Sequence, residues 1–250
     1  MVPRMQRVLI LGATSAIAAE AAVLYSARGD RLHLVGRNPS KLRDVAARCV
    51  GGSVSTSVAD FSNLSANGGV VRDAAAVLGG IDIAFIAHGD LGDQLETERS
   101  FDAAQSIIVT NFTSVVSLLI PLANMMEEKG EGRIGVITSV AGDRGRPRNY
   151  TYGASKGALS LYLQGVRTRL YAAGVGVTTL KLGPVDTPMT EGHDKHILFG
   201  NPKGVAKDCV RAIDARVAEA YVPSFWGAIM PIVKNTPEMI FQKLPFLSGR

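Results

Sequence analysis

Short apolar runs alternate with longer stretches of helix-forming composition along most of the 250-residue chain. The runs are Val8–Leu11, Leu32–Val35, Val54–Val58, Ile81–Ala87, Arg133–Thr138 and Val175–Leu182, rich in Val, Ile and Leu and poor in strict apolar–polar alternation. Strands covered by helices on both faces read this way. Between them, Ala16–Ala27, Pro39–Arg48, Gly69–Leu78, Phe101–Lys129 and Tyr152–Ala173 predict helices. The alternation implies right-handed βαβ units and one doubly wound α/β domain over residues 1–250, its parallel sheet of about seven strands flanked by helices on both faces. Residues 189–250 depart from the rhythm, and 189–220 are expected as a lid, 221–250 as a C-terminal appendage of the same domain. Pro121 is expected to kink the helix 101–129.

Composition narrows the function classes. With 46% hydrophobic and 20% charged residues the chain reads as ordinary and globular. Its 27 basic residues exceed its 22 acidic ones, but the excess forms no continuous block, so nucleic acid is not an expected partner. Two cysteines, Cys49 and Cys209, exclude a disulfide framework or a cysteine metal cluster and suit a reducing, cytoplasmic setting. Arg4, Arg7 and Val8–Leu11 loosely imitate a secretory signal, which Gly12, Thr14, Ser15 and Glu20 break. No segment reaches the ~18 uninterrupted apolar residues of a membrane span. The stretch from Tyr221 to Val233, broken by Pro223, Ser224, Gly227 and Pro231, suits contact with protein or a membrane surface instead.

In a doubly wound sheet, ligands bind beyond the carboxyl ends of the strands, so the residues following each run are the candidates. After Val8–Leu11 stands Gly12-Ala13-Thr14-Ser15-Ala16-Ile17-Ala18. A small-residue turn there brings backbone N–H groups and the positive end of a helix to a pyrophosphate, although a plain tight turn reads the same. The next run ends in Arg37, where an NAD-binding chain would carry a carboxylate for the ribose 2′-hydroxyl. A guanidinium suits a 2′-phosphate, which favours NADP(H) over NAD.

The strongest chemistry follows the fifth run. Tyr152 and Lys156 stand four apart and share one helix face. A phenol titrates near pH ~10, and a neighbouring ammonium is expected to lower it. Ser139, thirteen residues before Tyr152, can donate to a carbonyl oxygen.

With this constellation the chain resembles the short-chain dehydrogenase/reductase family, which carries a Rossmann-like fold. The resemblance implies that Asn111 supports a proton-relay water and that Lys156 and Tyr152 meet the nicotinamide ribose. It places Gly12, Thr14, Ser15, Ala16 and Ile17 at the pyrophosphate, Asp60 and Phe61 at the adenine, Ala87 and Gly89 along the cofactor, and Gly183, Val185 and Thr187 at the carboxamide. It also implies a homodimer or homotetramer, with helix 101–129 and the Tyr152 helix at the seam. Leu11, Ala16 and Ala18 depart from the family's T-G-x-x-x-G-x-G turn, Ile86-Ala87-His88-Gly89 from its N-N-A-G, and Leu182 from its P-G pair. An alanine Cβ in the turn narrows the approach to the pyrophosphate.

Three further stretches, 141–146, 185–190 and 240–245, look like the decaprenylphosphoryl-2-keto-pentose reductase branch, whose substrate is a keto-sugar joined through phosphate to a polyprenyl lipid. Arg144, Arg146 and Arg148 lie between Ser139 and Tyr152 and suit a phosphate, or equally a solvated loop. The C-terminal Phe225, Trp226, Ile229, Met230, Ile232, Ile240, Phe241, Leu244 and Phe246, with Lys234, Lys243 and Arg250, suit core packing, a dimer seam or a membrane surface. His193 and His196, beside Glu191 and Asp194, resemble metal ligands, but the chemistry needs no metal and none is expected. The sequence thus predicts an NADPH-dependent carbonyl reductase, cytoplasmic or peripheral at the inner membrane face, acting on a small-molecule or lipid-linked sugar. The alternatives are a reductase of 3-oxoacyl thioesters or small ketones, and a non-catalytic NADP-sensing scaffold.

Overall fold

The computed structural model describes residues 5–190 and 198–244. Seven parallel strands form one sheet in the order β3-β2-β1-β4-β5-β6-β7. They are β1 (Arg7–Leu11), β2 (Arg31–Gly36), β3 (Val54–Val58), β4 (Ile83–Ile86), β5 (Gly132–Ser139), β6 (Val175–Leu182) and β7 (Glu219–Val222). Side chains alternate between two separate cores, as a strand period of two requires. Val8, Ile10, Leu32, Leu34 and Phe85 face α1 (Ala16–Ala27) and α2 (Pro39–Ala47). Leu9, Leu11, Val35, Ala84 and Ile86 face the other layer, which begins with α3 (Asn67–Leu78). β3 is half-polar because it is an edge strand.

Two short helices, α4 (Gln94–Thr97) and α5 (Phe101–Ile108), precede a π-helical turn at Val109–Thr113, from which α6 (Ser114–Lys129) continues. The expected single helix 101–129 therefore leaves α-geometry around Asn111, while α6 runs on through Pro121. By length and hydropathy the run Phe101–Lys129 could cross a membrane. Here Val115, Leu118, Leu119, Leu122 and Met126 are buried against the sheet instead. α7 (Tyr150–Leu170) completes this layer.

The region expected as a lid and appendage divides differently. Residues 191–197 lie outside the described part, with the histidine pair and its acidic neighbours. Beyond them, α8 (Pro202–Asp214) is a core helix, with Val205, Ala206, Cys209 and Ile213 buried beside α1. Asn201 caps it by accepting from the Gly204 amide at 2.8 Å, and Pro202 at the first helical position starts it without a wasted donor. β7 then extends the sheet beside β6. Among the described residues, α9 (Trp226–Asn235) and α10 (Glu238–Phe241) form the appendage, whose Trp226, Met230, Val233 and Phe241 pack with Val140 into a third small core.

Close packing of α8 rests on Gly135 in β5, where a Cβ would stand 2.3 Å from Ile213 Cδ1. Gly135→Ala should destabilise the protein by about 1–3 kcal/mol through overpacking, lowering the melting temperature. Combining it with Ile213→Ala, which removes both clashing carbons, should cost less than the sum of the two single losses; additive losses in thermal melts would refute the contact.

Candidate active site

The strand order reverses between β1 and β4, so the crevice beyond their carboxyl ends is the expected ligand site. Gly12 opens it with a backbone φ of +81°, and a Cβ there would lie 2.6 Å from the His88 amide nitrogen. Only glycine satisfies both constraints. The amides of Gly12 and Ala13 both donate to Val35 O at 2.9 Å, which ties the turn to β2. Ser15 caps α1 by accepting from the Ala18 amide at 3.2 Å. The amides of Ala16 and Ile17 belong to the first helical turn, where no intrahelical acceptor exists. Ala18 is fully buried in the core below, so its methyl group is absorbed by packing, while Ala16 stays half-buried at the start of α1.

Around this cradle stand the other expected cofactor residues. Thr14 packs beside Gly36, whose Cβ would be 3.3 Å from Thr14 Cγ2. Arg37 is exposed past the end of β2, and its charge, after the hydrogen bonds from Ser62, helps hold the Asp60 carboxyl below its usual range. Phe61 is buried with its ring 4.7 Å from that of His88. Ala87 is buried and Gly89 half-buried.

His88 has a defined tautomer. Ser114 Oγ gives its proton to Thr110 O at 2.7 Å, so in its 2.8 Å bond with His88 Nε2 the imidazole must donate. Burial, then the charges of Lys156 and Arg37, pull its pKa down to about 3, and the ring is neutral. Its Nδ1 is a buried acceptor with no partner. A helix N-terminus, a glycine that admits no side chain and a neutral ring beneath them fit the phosphates and ribose of a nicotinamide dinucleotide.

At the end of β5, Ser139 Oγ accepts from the Ala141 amide at 3.1 Å and reaches Leu182 O at 3.3 Å. The Ser139 hydroxyl draws the pKa of the Tyr152 phenol down, but burial dominates and the net shift is upward. The expected lowering of Tyr152 by Lys156 is not what controls it. Lys156 is 2% exposed, its Nζ donates to Ile137 O at 3.2 Å and lies 6.0 Å from the Tyr152 ring centre. Burial draws its pKa down to about 8.

Asn111 is fully buried in the π-helical turn. Its Oδ1 accepts from the Asp90 amide at 2.8 Å, and its Nδ2 donates to Asp90 O at 2.7 Å and to Ser155 Oγ at 3.2 Å. Ser155 in turn donates to Tyr152 O at 2.7 Å. A methyl group at Gly89 would stand 3.0 Å from Asn111 Oδ1 and 3.1 Å from Lys156 Nζ. Asn111, Gly89 and Lys156 thus meet at one place.

The sequence reading missed the glycines that bring these groups together. A Cβ at Gly157 would lie 2.8 Å from Gly142 O, and one at Gly153 2.7 Å from Ala141 O. Gly153 and Gly157 form the helical row next to Tyr152 and Lys156, and the short 3-10 turn Val140–Gly142 rests directly on it. Two glycines four apart, each one residue after a catalytic candidate, were the available signal.

The loop after β6 carries Gly183, whose amide donates to Val222 O at 3.0 Å and over which Trp226 sits, a Cβ there falling 2.0 Å from the indole nitrogen. Val185 is buried and bridges to Gly200, while the Thr187 amide donates to Thr190 Oγ1 at 3.2 Å. The three arginines separate. Arg144 donates to Lys234 O at 3.1 Å and Glu238 Oε2 at 2.5 Å and stacks on Phe241 at 4.4 Å, strapping the appendage to the loop. Arg146 is half-buried, with Met230 Sδ at 4.0 Å and a buried Nε that has no partner. Arg148 is exposed.

A family model described as short chain dehydrogenase matches residues 6–197. An uncharacterized oxidoreductase of Mycobacterium tuberculosis is 33% identical over 241 residues, covering 95% of this chain and 96% of its own. One from Streptomyces coelicolor is 31% identical, covering 94% of each. Among solved structures, levodione reductase superposes with a TM-score of 0.78 at 23% identity, covering 86% of this chain and 94% of that one. A short chain dehydrogenase/reductase family protein gives 0.77 at 26%, covering 88% and 97%.

Lys156 also makes the site costly to fold. Below pH 8 the lysine is charged in both folded and unfolded chains, so the folded state carries the full desolvation cost. Between pH 8 and 10.5 the folded lysine loses its proton first and the cost fades. Lys156→Met should therefore raise the melting temperature at pH 7, with the gain shrinking towards pH 10; a pH-independent or negative change would contradict it.

Proposed function

The chain belongs to the short-chain dehydrogenase family, and we propose that it is an NADPH-dependent reductase interconverting a ketone and a secondary alcohol. The observation that carries this reading is the placement of Ser139 at the end of β5 against the first turns of α7, where Lys156 Nζ lies 6.0 Å from the Tyr152 ring centre and Asn111 bonds to Ser155. When bound, the nicotinamide supplies the hydride that reduces the carbonyl carbon. Ser139 Oγ and the Tyr152 phenol both donate to the carbonyl oxygen, and Tyr152 gives up its proton as the oxygen becomes an alcohol. Its raised pKa keeps the phenol protonated and ready to donate at neutral pH. Lys156 meets the ribose hydroxyls, and its charge holds the phenolate that forms. Asn111, anchored to Asp90 and Ser155, holds the water through which the proton returns.

Gly12, Thr14, Ser15, Ala16 and Ile17 receive the pyrophosphate, and exposed Arg37 takes the 2′-phosphate, which supports NADPH over NADH. The substrate reading is a keto-sugar linked through phosphate to a polyprenyl lipid. Arg146 supports it, because a half-buried guanidinium whose Nε has no partner and which the charge of Arg148 disfavours calls for an anion. Exposed Ile232, Met239 and Ile240, beside exposed Lys234 and Lys243, suit a lipid surface at the inner membrane face.

Tyr152→Phe should reduce ketone turnover by at least ~100-fold and leave NADPH binding in isothermal titration largely intact; retained turnover would sink the assignment. Separately, Arg37→Glu should weaken NADPH by roughly 10- to 100-fold, the scale of 1.4–2.8 kcal/mol for a lost and reversed charge pair. NADH affinity should change little. An unaltered ratio of the two affinities would remove Arg37 from the cofactor site.

A further inference from the structure

Behind the turn that follows Ser139 lies a buried ionic cluster to which the reaction as described gives no part. Lys181, near the end of β6, is 3% exposed. Its Nζ lies 3.0 Å from Asp143 Oδ1 and 2.9 Å from Glu219 Oε2. Tyr221 on β7 donates its hydroxyl to Asp143 Oδ2 at 2.6 Å, and its ring sits 5.3 Å from Lys181 Nζ. Gln164 and Arg167 of α7 approach Glu219 from the far side, at 3.1 and 4.0 Å. Two cations thus face two carboxylates, and each oxygen of Asp143 has its own donor.

Such a cluster gains little stability over apolar packing, because the desolvation of its charges offsets their attraction. What it supplies is position. Asp143 closes the turn Val140–Gly142, donating its amide to Val140 O at 3.2 Å. That turn touches α7 backbone to backbone at Gly153 and Gly157, and its Ala141 amide holds Ser139 Oγ. With Asp143 fixed from β6 and β7, the turn cannot slide along α7. Resting on the reductase reading above, we propose that Asp143, clamped between Lys181 and Tyr221, is a positioning residue that holds Ser139 and Tyr152 on a single substrate oxygen.

Tyr221→Phe is the informative variant, since it keeps the ring over Lys181 and the ion pairs but frees one Asp143 oxygen; Asp143→Asn, which keeps the shape and removes the charge, is the second. Two readouts are needed. The first is the ultraviolet titration of the Tyr152 phenol, taken as the difference between each protein and its Tyr152→Phe counterpart. The second is reduction of a ketone by NADPH, with kcat, KM and the NADPH dissociation constant measured separately. Displacement of Ser139 from Tyr152 should move the phenol titration further upward. It should also lower kcat by roughly 10- to 100-fold, the scale of a sub-ångström to 1 Å misplacement, with KM and NADPH affinity unchanged. A lower melting temperature with an unmoved phenol and normal kcat would make the cluster merely structural and overturn the proposal. So would a loss of NADPH affinity equal to that in kcat. If the wild-type protein reduces no ketone yet the phenol still shifts in Tyr221→Phe, the reductase reading fails and the clamp stands. Should Asp143→Asn not fold, Tyr221→Phe decides alone.

Discussion

The arrangement of the site depends on a steric contact between two pieces of backbone. The 3-10 turn after β5 and the first turns of α7 meet at Gly142, Gly153 and Gly157 with no room for a single methyl group. Interiors packed this tightly transmit displacement rather than absorb it. The closest approach of the Ser139 turn to the Tyr152 helix is therefore limited by main-chain atoms, and Asp143 fixes where along α7 that contact sits. From the far side, α4 adds a second restraint, with Gln94 Oε1 accepting from the Thr151 amide at 3.1 Å and Thr97 bonding Thr151 at 3.0 Å.

Electrostatically the same region is poor in solvent and rich in partners. His88 is kept neutral, Lys156 is drawn towards neutrality and Tyr152 is kept protonated, all by burial as the largest cause. At neutral pH the site therefore holds a protonated phenol and a neutral imidazole, with the Lys156 ammonium as its buried charge. The strong ion pairs lie elsewhere: Arg7 and Lys129 on Asp82 at the opposite end of the sheet, and Lys181 with Asp143 beneath the turn. The first set ties strand beginnings together; the second lies against the moving parts of the chemistry.

How far the fold could be read from the residues depended on how local each signal was. Strands β1, β2, β4, β5 and β6 announce themselves because a strand covered on both faces has no polar face to blur its outline, while half-polar β3 shows through its β-branched residues. β7 was obscured because only Val222 of its four residues is fully buried, and it runs directly into the aromatic stretch of α9. α8 carried its own markers, Asn201 before Pro202 and apolar Val205, Cys209 and Ile213 at helical spacing, but they fall just after a stretch of unrelated composition. Ser139, Tyr152 and Lys156 were readable through their spacing. Arg144 was not, because its engagement with Glu238 and Phe241 spans more than ninety residues and leaves no mark on its neighbours. The direction of the Tyr152 shift was missed for a similar reason, since desolvation is a property of the whole enclosure.

The π-helical turn at Val109–Thr113 carries a consequence for how this chain can change length. A wider turn accommodates one more residue than the α-helix around it would hold, and the two flanking helices are phased accordingly. Removing any one residue there would let the segment rewind into continuous α-helix, turning everything on one side by about 100° relative to the other. Asn111 would then face away from Asp90 and Ser155, even if every atom of its side chain were retained. Substitutions on the outer surface of this helix are cheap by comparison. Among homologues, the number of residues between α5 and α6 should accordingly be held more rigidly than their identity, a constraint on counting rather than on chemistry.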